Sequence, residues 1–404
     1  MSHSPYAAAF AEPAGSPIRE LFPYLSRPGM ISFAGGYPSP TLLDGAGIEQ
    51  AAQRVFAQGA GILQYGATEG APALREALAR LCDARGIEAK PEDILVTTGS
   101  QQAFDLLVRV FVEPGDVVYV ESPSYPATLQ ALRLAGARIE QVPVDDQGMR
   151  IDVLESLLAN APADALPKLI YTVPTYSNPC GTLLSQERRA QLASLAARHG
   201  VIVVEDDPYG ELRFSPTAVE PIHALGARLP SANPVIYLSS LSKTLAPALR
   251  VGWMVAPAEV IRRCAIAKQT TDLCTSPIAQ LIAAEYLNAG RYPDTVERAR
   301  REYGARMQAM VDMLQAELGG RIRANPPEGG MFIWAEAQDD LAPGALFQAC
   351  VDQGVLFVPG AAFYAANPKA GTMRLSYAAP NVDQIREGVR RLAAAYNSAL
   401  SAGK

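Results

Sequence analysis

The sequence predicts an α/β protein with a mostly parallel central sheet in a large domain, joined to a smaller α+β domain. Its 404 residues are more than one hydrophobic core usually holds, which favours two domains. Short apolar runs alternate with helical patterns through the middle of the chain, as in a parallel sheet with helical crossovers. The C-terminal part mixes short strands and helices, which predicts the second domain.

Five apolar runs are the predicted strands of the large domain, and each is followed by a loop or helical pattern. They cover 93–99, 116–122, 168–174, 201–207 and 235–240. In sheets of this kind, ligands bind beyond the carboxyl ends of the strands. Motifs that directly follow these runs are therefore candidates for one shared site.

We assign residues 46–285 to the large domain, and residues 1–45 together with 286–404 to the small domain. A long helical stretch over about 276–318 is expected to lead from one domain into the other. The N-terminal residues are rich in Pro and Gly and are expected to pack near the small domain.

Composition argues against several classes of function. A formal net charge of −6 gives no field to hold nucleic acid or an anionic membrane, and no apolar run approaches the length of a membrane span. Five cysteines without a C-x-x-C pair favour free thiols in the reducing cytoplasm. Three histidines make a His-rich zinc site or a Ser-His-Asp triad unfavourable interpretations. We expect a cytoplasmic protein without a metal, whose chemistry uses other side chains or an organic cofactor.

The segment VIYLSSLSKTLAPALRVGW, 235–253, places Lys243 directly after a buried strand. Burial disfavours the ammonium form, and a lysine with a lowered pKa is what Schiff-base chemistry needs. Ser240, Ser242 and Arg250 could donate hydrogen bonds to a phosphate. The alternative is a lysine that merely reaches solvent from the end of a strand.

Two acidic residues, Asp206 and Asp207, end the apolar strand VIVVEDD. A carboxylate at the end of a buried strand needs a cationic partner, which a protonated pyridine nitrogen would supply. Tyr209 is close enough in sequence to reach the same ligand. Alternatively, the acidic pair caps a helix.

The segment TTGSQQAF reads as a strand end, a glycine and a polar helix start. Gly99 allows close approach of the backbone, and the amides of Ser100 and Gln101 suit a phosphate. An ordinary helix cap would have the same pattern. The dinucleotide fingerprint G-x-G-x-x-G is absent here, which argues against a Rossmann dehydrogenase.

Three further side chains lie at informative places. Asn178 in YSNPCGT could donate to a ring oxygen, or simply form an Asn-Pro turn. Tyr125 in SPSYP could stack on a flat ligand, or pack in the core. Arg374 in MRLSY could hold a substrate carboxylate through its forked guanidinium, or form an internal ion pair.

In this order, the motifs resemble the class I and II aminotransferases, which are fold type I pyridoxal-phosphate (PLP) enzymes, and most of all the branch with 2-aminoadipate aminotransferases. The resemblance runs from 33–40 to 373–378, and its motifs are LQYGATEG, TTGSQQAFDL, YSNPCG, EDDPYG, SLSKTLAPALRVGW and MRLSYA. One departure is Cys180, where many relatives have threonine in N-P-T-G. It barely affects the assignment but places an oxidisable thiol near the site.

The resemblance implies a role for each motif residue. Lys243 resembles the lysine that is linked covalently to the cofactor aldehyde, and Asp206 resembles the acid that pairs with the ring nitrogen. Asn178 and Tyr209 resemble the donors to the phenolic oxygen of the ring, and Tyr125 resembles the stacking aromatic residue.

Phosphate and substrate contacts are implied in the same way. The residues that match the phosphate cradle are Ser100, Gln101, Ser240, Ser242 and Arg250. Tyr65 resembles the tyrosine that reaches the phosphate of the neighbouring subunit, so a homodimer is expected. Arg374 resembles the arginine that binds the substrate α-carboxylate, and Gly36 lies where the backbone approaches the substrate.

The implied reaction is a ping-pong transamination from an L-amino acid to a 2-oxo acid, expected to be 2-oxoglutarate. The segment at 16–29 resembles the region that covers the substrate, where Arg19 could meet a distal carboxylate or be merely solvated. Tyr24 and Tyr37 could line a pocket for an apolar or aromatic side chain. We expect a broad specificity, or a preference for 2-aminoadipate, aromatic or branched-chain substrates.

Two other functions would fit parts of this pattern. A PLP-dependent β-lyase acting on cysteine conjugates would share nearly all these residues, because the two reactions diverge only after the Cα proton is removed. A transcription regulator with an aminotransferase-like domain fits less well, since the motifs begin by Phe33 and leave no room for a DNA-binding domain.

Overall fold

The computed structural model describes residues 6–11, 15–162, 165–342 and 344–402, so parts of the predicted small domain at 1–5, 12–14, 343 and 403–404 lie outside the described residues. The strands are β1 Ile31–Ser32, β2 Ile94–Thr97, β3 Val117–Ser122, β4 Arg138–Asp145, β5 Gly148–Met149, β6 Leu169–Thr172, β7 Ile202–Asp206, β8 Val235–Ser240, β9 Gly252–Val255, β10 Ile322–Ala324, β11 Phe332–Ala337, β12 Val355–Leu356, β13 Val358–Pro359 and β14 Thr372–Ser376. The helices are α1 Phe22–Leu25, α2 Gly45–Phe56, α3 Pro72–Asp83, α4 Ser100–Phe111, α5 Pro126–Leu134, α6 Ile151–Asn160, α7 Gln186–His199, α8 Ile222–Gly226, α9 Ala258–Gln269, α10 Pro277–Asn288, α11 Tyr292–Leu318, α12 Ala345–Asp352 and α13 Val382–Ala402.

The central sheet has eight strands in the described residues, in the order β2-β9-β8-β7-β6-β3-β4-β5. The strands from β8 through β4 in that order run parallel to their neighbours, whereas β9 and the edge strand β5 are antiparallel. Consecutive residues of β7 enter separate cores, Val203 with Leu192 of α7 and Val204 with Leu107 of α4. Helices therefore cover both faces, and the predicted mostly parallel α/β fold is confirmed.

All five predicted strands are present, but three strands of this sheet, β4, β5 and β9, were not predicted. β4 alternates exposed and partly buried residues because it lies near the sheet edge, so it lacks a continuous apolar run. β9 is a four-residue strand immediately after the Lys243 motif. Its insertion between β2 and β8 is a long-range pairing that a short apolar run does not reveal.

A second sheet, in the order β10-β11-β14-β13, is antiparallel, as expected for the C-terminal part. β1 pairs in parallel with β12, and Leu21 and Ala34 share a small core with Val351 and Leu356. The N-terminal region therefore packs beside this sheet, as predicted. Among the described helices, none is both long and apolar enough to cross a bilayer.

The expected helical stretch over about 276–318 consists of two helices, α10 and α11. Gly290, between the two helices, has a φ of 72°, a left-handed conformation that suits glycine and ends a helix. Pro293, in the first turn of α11, cannot donate a hydrogen bond to the preceding turn. A break of three residues is enough to redirect the chain towards the second sheet.

Alternation along β6 and β7 separates two buried acids that are adjacent in sequence. Tyr171 and Asp206 lie on one face of the sheet, joined by a hydrogen bond. Glu205 lies on the other face, where it accepts two backbone hydrogen bonds at the start of α8 and lies 3.6 Å from the buried Arg189. Glu205 is thus satisfied inside the protein, whereas Asp206 faces the site.

Candidate active site

A cavity of about 300 Å³ lies at the carboxyl ends of the central strands, between the two sheets and the N-terminal segment. Most of the residues predicted from the sequence line it. These are Gly36, Ser100, Gln101, Tyr125, Asn178, Asp206, Tyr209, Ser240, Ser242, Lys243, Arg250 and Arg374. Since they come from separate strand ends, only the fold brings them together.

Lys243 extends from the turn after β8 into this cavity. Its Nζ donates a hydrogen bond to the carbonyl oxygen of Gly36 at 2.9 Å. Burial lowers the pKa of this lysine to about 8, with a further lowering by the charges of Arg374 and Arg250, while Asp206 acts in the opposite direction. Near neutral pH the amine is therefore available as a nucleophile or a base far more often than an exposed lysine is.

Asp206 ends β7 with one carboxylate oxygen satisfied and the other not. Oδ2 accepts a hydrogen bond from the hydroxyl of Tyr171 at 2.8 Å, whereas Oδ1 is buried without a hydrogen-bond partner in the described residues. Burial raises the pKa of this carboxyl group to about 6, and the hydroxyl groups of Tyr171 and Ser100 oppose the rise. A buried acceptor without a donor at a cavity wall fits a ligand that brings an N–H group.

The neighbouring Asp207 has its own cation. Its Oδ2 accepts a hydrogen bond from Arg85 Nη2 at 2.7 Å, and both side chains are largely buried. No helix begins at these residues, since the described helix that follows, α8, starts only at Ile222. The acidic pair is therefore not a helix cap. Oδ1 of Asp207 also lacks a hydrogen-bond partner, but Asp206 alone of the pair lines the cavity and has no ion pair in the described residues. Asp206 is therefore the acid available to a ligand.

Arg374 on β14 is fully buried, yet no described carboxylate forms an ion pair with it. Its Nη1 donates to Asn178 Oδ1 and its Nη2 donates to the carbonyl oxygen of Ala34, both at 2.7 Å, while Nε has no partner. The guanidinium carbon lies 4.3 Å from the ring centre of Phe332. Burial lowers the pKa of Arg374 to about 10. A buried cation with neutral neighbours fits an anionic ligand, so the internal ion pair considered above is not formed.

The side-chain amide of Asn178 is oriented by this contact. Arginine only donates hydrogen bonds, so the atom of Asn178 that it contacts must be the oxygen. The NH₂ group is then left to donate, as the predicted contact with a ring oxygen requires. Tyr209, packed edge-on against Phe332, has a pKa raised by burial, which keeps its hydroxyl protonated and able to donate.

An anion site lies at the N-terminus of α4. Gly99 precedes the helix with a φ of 81° and supplies no capping side chain. A Cβ at this position would lie 2.5 Å from Nη2 of Arg250. Arg250 Nη1 donates to Ser242 Oγ at 3.2 Å, and the Ser240 hydroxyl lies 2.8 Å from the same oxygen. Free helix-start amides beside a guanidinium suit a phosphate.

Three predicted residues do not line the cavity of their own chain. Tyr24 packs edge-on against Phe347 instead, with ring centres 6.0 Å apart. The side chain of Arg19 is exposed, whereas apolar neighbours in the same segment line the cavity: Ile18, Leu21, Phe22 and Leu25. Tyr65 is 78% exposed and points away from this chain's core. The structure therefore does not place Arg19 at the substrate position, and it leaves Tyr65 free to reach another molecule.

Sequence reasoning missed several groups that shape the site. Tyr171 lies within a predicted strand, and strand alternation with Asp206 could have indicated their shared face. Phe332 beneath Arg374 and the carbonyl group of Ala34 carry no signal in the sequence. Cys180 is not activated, because burial raises the pKa of its thiol and so disfavours the thiolate that oxidants attack.

A family model described as aminotransferase class I and II matches residues 39–392. The chain belongs to the class I and II aminotransferases. This aminotransferase is 39% identical over 395 residues to aromatic-amino-acid aminotransferase 1 of Thermococcus litoralis, a match that covers 96% of this chain and 94% of the relative.

Two crystal structures show the same fold. The α-aminoadipate aminotransferase LysN of Thermus thermophilus, complexed with N-(5'-phosphopyridoxyl)-L-leucine, is 38% identical, with a TM-score of 0.90 and 98% of both chains covered. The Pyrococcus horikoshii kynurenine aminotransferase, with PMP bound, is 39% identical, with a TM-score of 0.92 and 97% of both chains covered. Our aminotransferase is a PLP-dependent enzyme of fold type I that acts on amino acids and 2-oxo acids.

The residues present fit this cofactor. The unpartnered Oδ1 of Asp206 suits a protonated ring nitrogen, and the donating amide of Asn178 suits the phenolic oxygen. The helix-start amides of α4 with Arg250 suit the phosphate. Lys243, inside the same cavity, suits the aldehyde.

Proposed function

We propose that Lys243 is the covalent attachment point and the acid/base of this aminotransferase, with Asp206 at the ring nitrogen and Arg374 at the substrate carboxylate. One observation carries the proposal. A single cavity joins a lysine of lowered pKa to a buried acceptor without a donor and a buried cation without an anion. The acceptor without a donor matches the ring nitrogen of the cofactor, and the cation without an anion matches the carboxylate of the amino acid.

Pyridoxal phosphate, when bound, supplies an electron sink for the charge left at Cα. Arg374 holds the carboxylate of the amino acid in a two-pronged grip and so fixes which Cα bond faces Lys243. Lys243 takes the proton from Cα and would deliver it to the carbon of the cofactor that carried the aldehyde. A base with a pKa near the working pH contributes about 10²–10⁴ in rate. Asp206 provides the negative charge that keeps the ring nitrogen protonated.

We propose that the two half-reactions share this site in a ping-pong sequence, with 2-oxoglutarate as the acceptor. The cavity has a single Arg374 and a single Lys243. Because donor and acceptor would both need them, the two substrates would bind one after the other. No observation in the described residues favours the cysteine-conjugate β-lyase alternative.

The donor side chain is proposed to be apolar or aromatic. The cavity wall opposite the cofactor residues is formed by the segment with Ile18, Leu21, Phe22 and Leu25 and by Tyr37. Such a wall stabilises a donor in proportion to the apolar area that it covers, about 25 cal/mol per Å². Relatives named for aromatic amino acids and kynurenine, and a leucine adduct in LysN, support this choice.

The assignment of Lys243 is tested by Lys243→Ala. We expect loss of transamination and loss of the visible absorbance that arises when the cofactor is linked to a lysine. The matched control is Lys168→Ala, which removes an exposed lysine just before β6 and should change neither property. An unaltered spectrum in Lys243→Ala would refute the assignment.

The role of Arg19 is tested by Michaelis constants in Arg19→Ala. If Arg19 binds a distal carboxylate, the KM for glutamate and 2-oxoglutarate rises while the KM for phenylalanine stays unchanged. Because its side chain is exposed here, we expect all three constants to stay within about twofold, as for an ordinary surface change. A selective rise for the dicarboxylates would contradict this expectation.

We also propose a cytoplasmic homodimer in which Tyr65 reaches the partner's phosphate site. Two exposed apolar side chains in one short segment, Leu63 at 65% and Tyr65 at 78%, support this, because grouped apolar side chains on a surface are typical of protein–protein contacts. All five cysteines are free thiols, which supports a reducing compartment. Cell fractionation with activity assays checks the compartment, and recovery in an oxidising compartment would count against it.

A further inference from the structure

The position of Tyr171 is fixed by the centre of the large sheet. It lies in β6, between β3 and β7, and its side chain is fully buried. Its ring packs edge-on against Phe104, with ring centres 4.8 Å apart. Because the ring is buried and packed, the position of the hydroxyl oxygen is fixed in the folded protein, and only the hydroxyl hydrogen can rotate.

The hydroxyl group of Tyr171 forms a hydrogen bond with one of the two carboxylate oxygens of Asp206. It donates to Oδ2 at 2.8 Å, a charge-assisted hydrogen bond. Burial raises the pKa of Tyr171 well above its ordinary value, so the group stays protonated and remains a donor. The same hydrogen bond counteracts the burial that raises the pKa of Asp206.

We propose that Tyr171 is a positioning residue that holds the Asp206 carboxylate in the rotation that leaves Oδ1 available to the ring nitrogen of the cofactor. The inference rests on the proposed role of Asp206. Without the hydroxyl group of Tyr171, the carboxylate of Asp206 can rotate about its Cβ–Cγ bond and populate several orientations. Oδ1 would then face the ring nitrogen for only part of the time, and the interaction between them would be weaker.

The test compares two probes on apo-protein: pyridoxal phosphate, and its analogue with CH in place of the ring nitrogen. Both have the same aldehyde and phosphate, so contacts with Lys243 and Arg250 cancel in the ratio of the two Kd values. We expect wild type to prefer pyridoxal phosphate. In Tyr171→Phe the preference falls about tenfold, the effect of one hydrogen bond to a charged group, while the Kd of the CH analogue changes less than about twofold.

Tyr171→Phe keeps the ring that packs on Phe104 and removes only an oxygen. The matched control is Tyr119→Phe, on the adjacent strand β3 but in the core on the opposite face of the sheet. That variant should keep the wild-type preference. In an Asp206→Asn background, Tyr171→Phe should leave the ratio unchanged, because the partner it orients is gone.

Each outcome separates the two proposals. Equal weakening of both probes in Tyr171→Phe would mean that the residue only packs, which overturns the inference and leaves the role of Asp206 intact. A wild-type protein that binds both probes equally would overturn the role of Asp206 itself. Should Tyr171→Phe fail to fold, Thr128→Val, which alters a hydroxyl neighbour of Tyr171, is measured instead and should lower the preference less.

Discussion

At the scale of single residues, the buried charges differ in whether the protein satisfies them. Asp207 has Arg85, and Glu205 has backbone amides and Arg189. Asp206 and Arg374 line the cavity and form no ion pair in the described residues. A sequence shows only that these residues are charged and lie next to apolar strands. Their partners come from distant segments, so the sequence left both acids open as candidates and the structure separates them.

Asp206→Asn is expected to reduce activity without reducing stability, and Asp207→Asn is expected to reduce stability. Asp206→Asn should fold and bind the cofactor but lose most turnover, because it cannot keep the ring nitrogen protonated. Asp207→Asn leaves Arg85 with only the more distant carboxylate of Glu211, at 3.5 Å, and should lower the free energy of unfolding by up to about 3–5 kcal/mol. Steady-state kinetics and denaturant unfolding of both variants measure this contrast. Near-normal turnover in Asp206→Asn would mean that the ring nitrogen has another partner.

At the scale of elements, the turn between β2 and α4 shows what local sequence can predict. The helix start at Ser100 and the need for glycine at 99 follow from the order strand, glycine, polar residues. The approach of Arg250 to that glycine does not, because Arg250 comes from the turn before β9, a strand that the sequence did not reveal. The phosphate cradle was therefore identified by resemblance, and its geometry came from the fold.

Gly99→Ala is expected to weaken binding of the phosphate end of the cofactor. The added Cβ would displace the guanidinium of Arg250, and the residue would be strained by about 1–3 kcal/mol at its backbone angles. The Kd of pyridoxal phosphate should rise at least about tenfold, while that of pyridoxal, which has no phosphate, should change little. The matched control is Gly115→Ala, also at positive φ but with open space around the new Cβ. Equal weakening of both ligands would show a general loss of folding instead.

At the scale of the whole molecule, two sheets and the N-terminal segment must meet before the cavity exists. Arg374 belongs to the second sheet, Asn178 to the large one, and Ala34 to the N-terminal segment, yet one guanidinium joins all three. The same scale includes the proposed partner subunit, since Tyr65 does not contribute to the site of its own chain.

Subunit mixing tests the proposed contribution of Tyr65 across a dimer interface. Tyr65→Ala and Lys243→Ala are each expected to have low activity as homodimers. If Tyr65 acts in the partner's site, a mixed dimer has one intact site, and activity returns when the two variants are unfolded and refolded together. If Tyr65 acts within its own chain, both sites of the mixed dimer are defective and no activity returns.

The sequence by itself determined the α/β class, the five strand ends that carry chemistry, and the family. These depend on local patterns and on the order of motifs, which are present in the sequence itself. Only the tertiary structure decided that α10 and α11 are separate, that Asp207 rather than Asp206 forms an ion pair with Arg85, and that an apolar wall rather than Arg19 lines the cavity. The reason is distance along the chain: the contact of Lys243 with Gly36 spans 207 residues, and that of Arg374 with Ala34 spans 340.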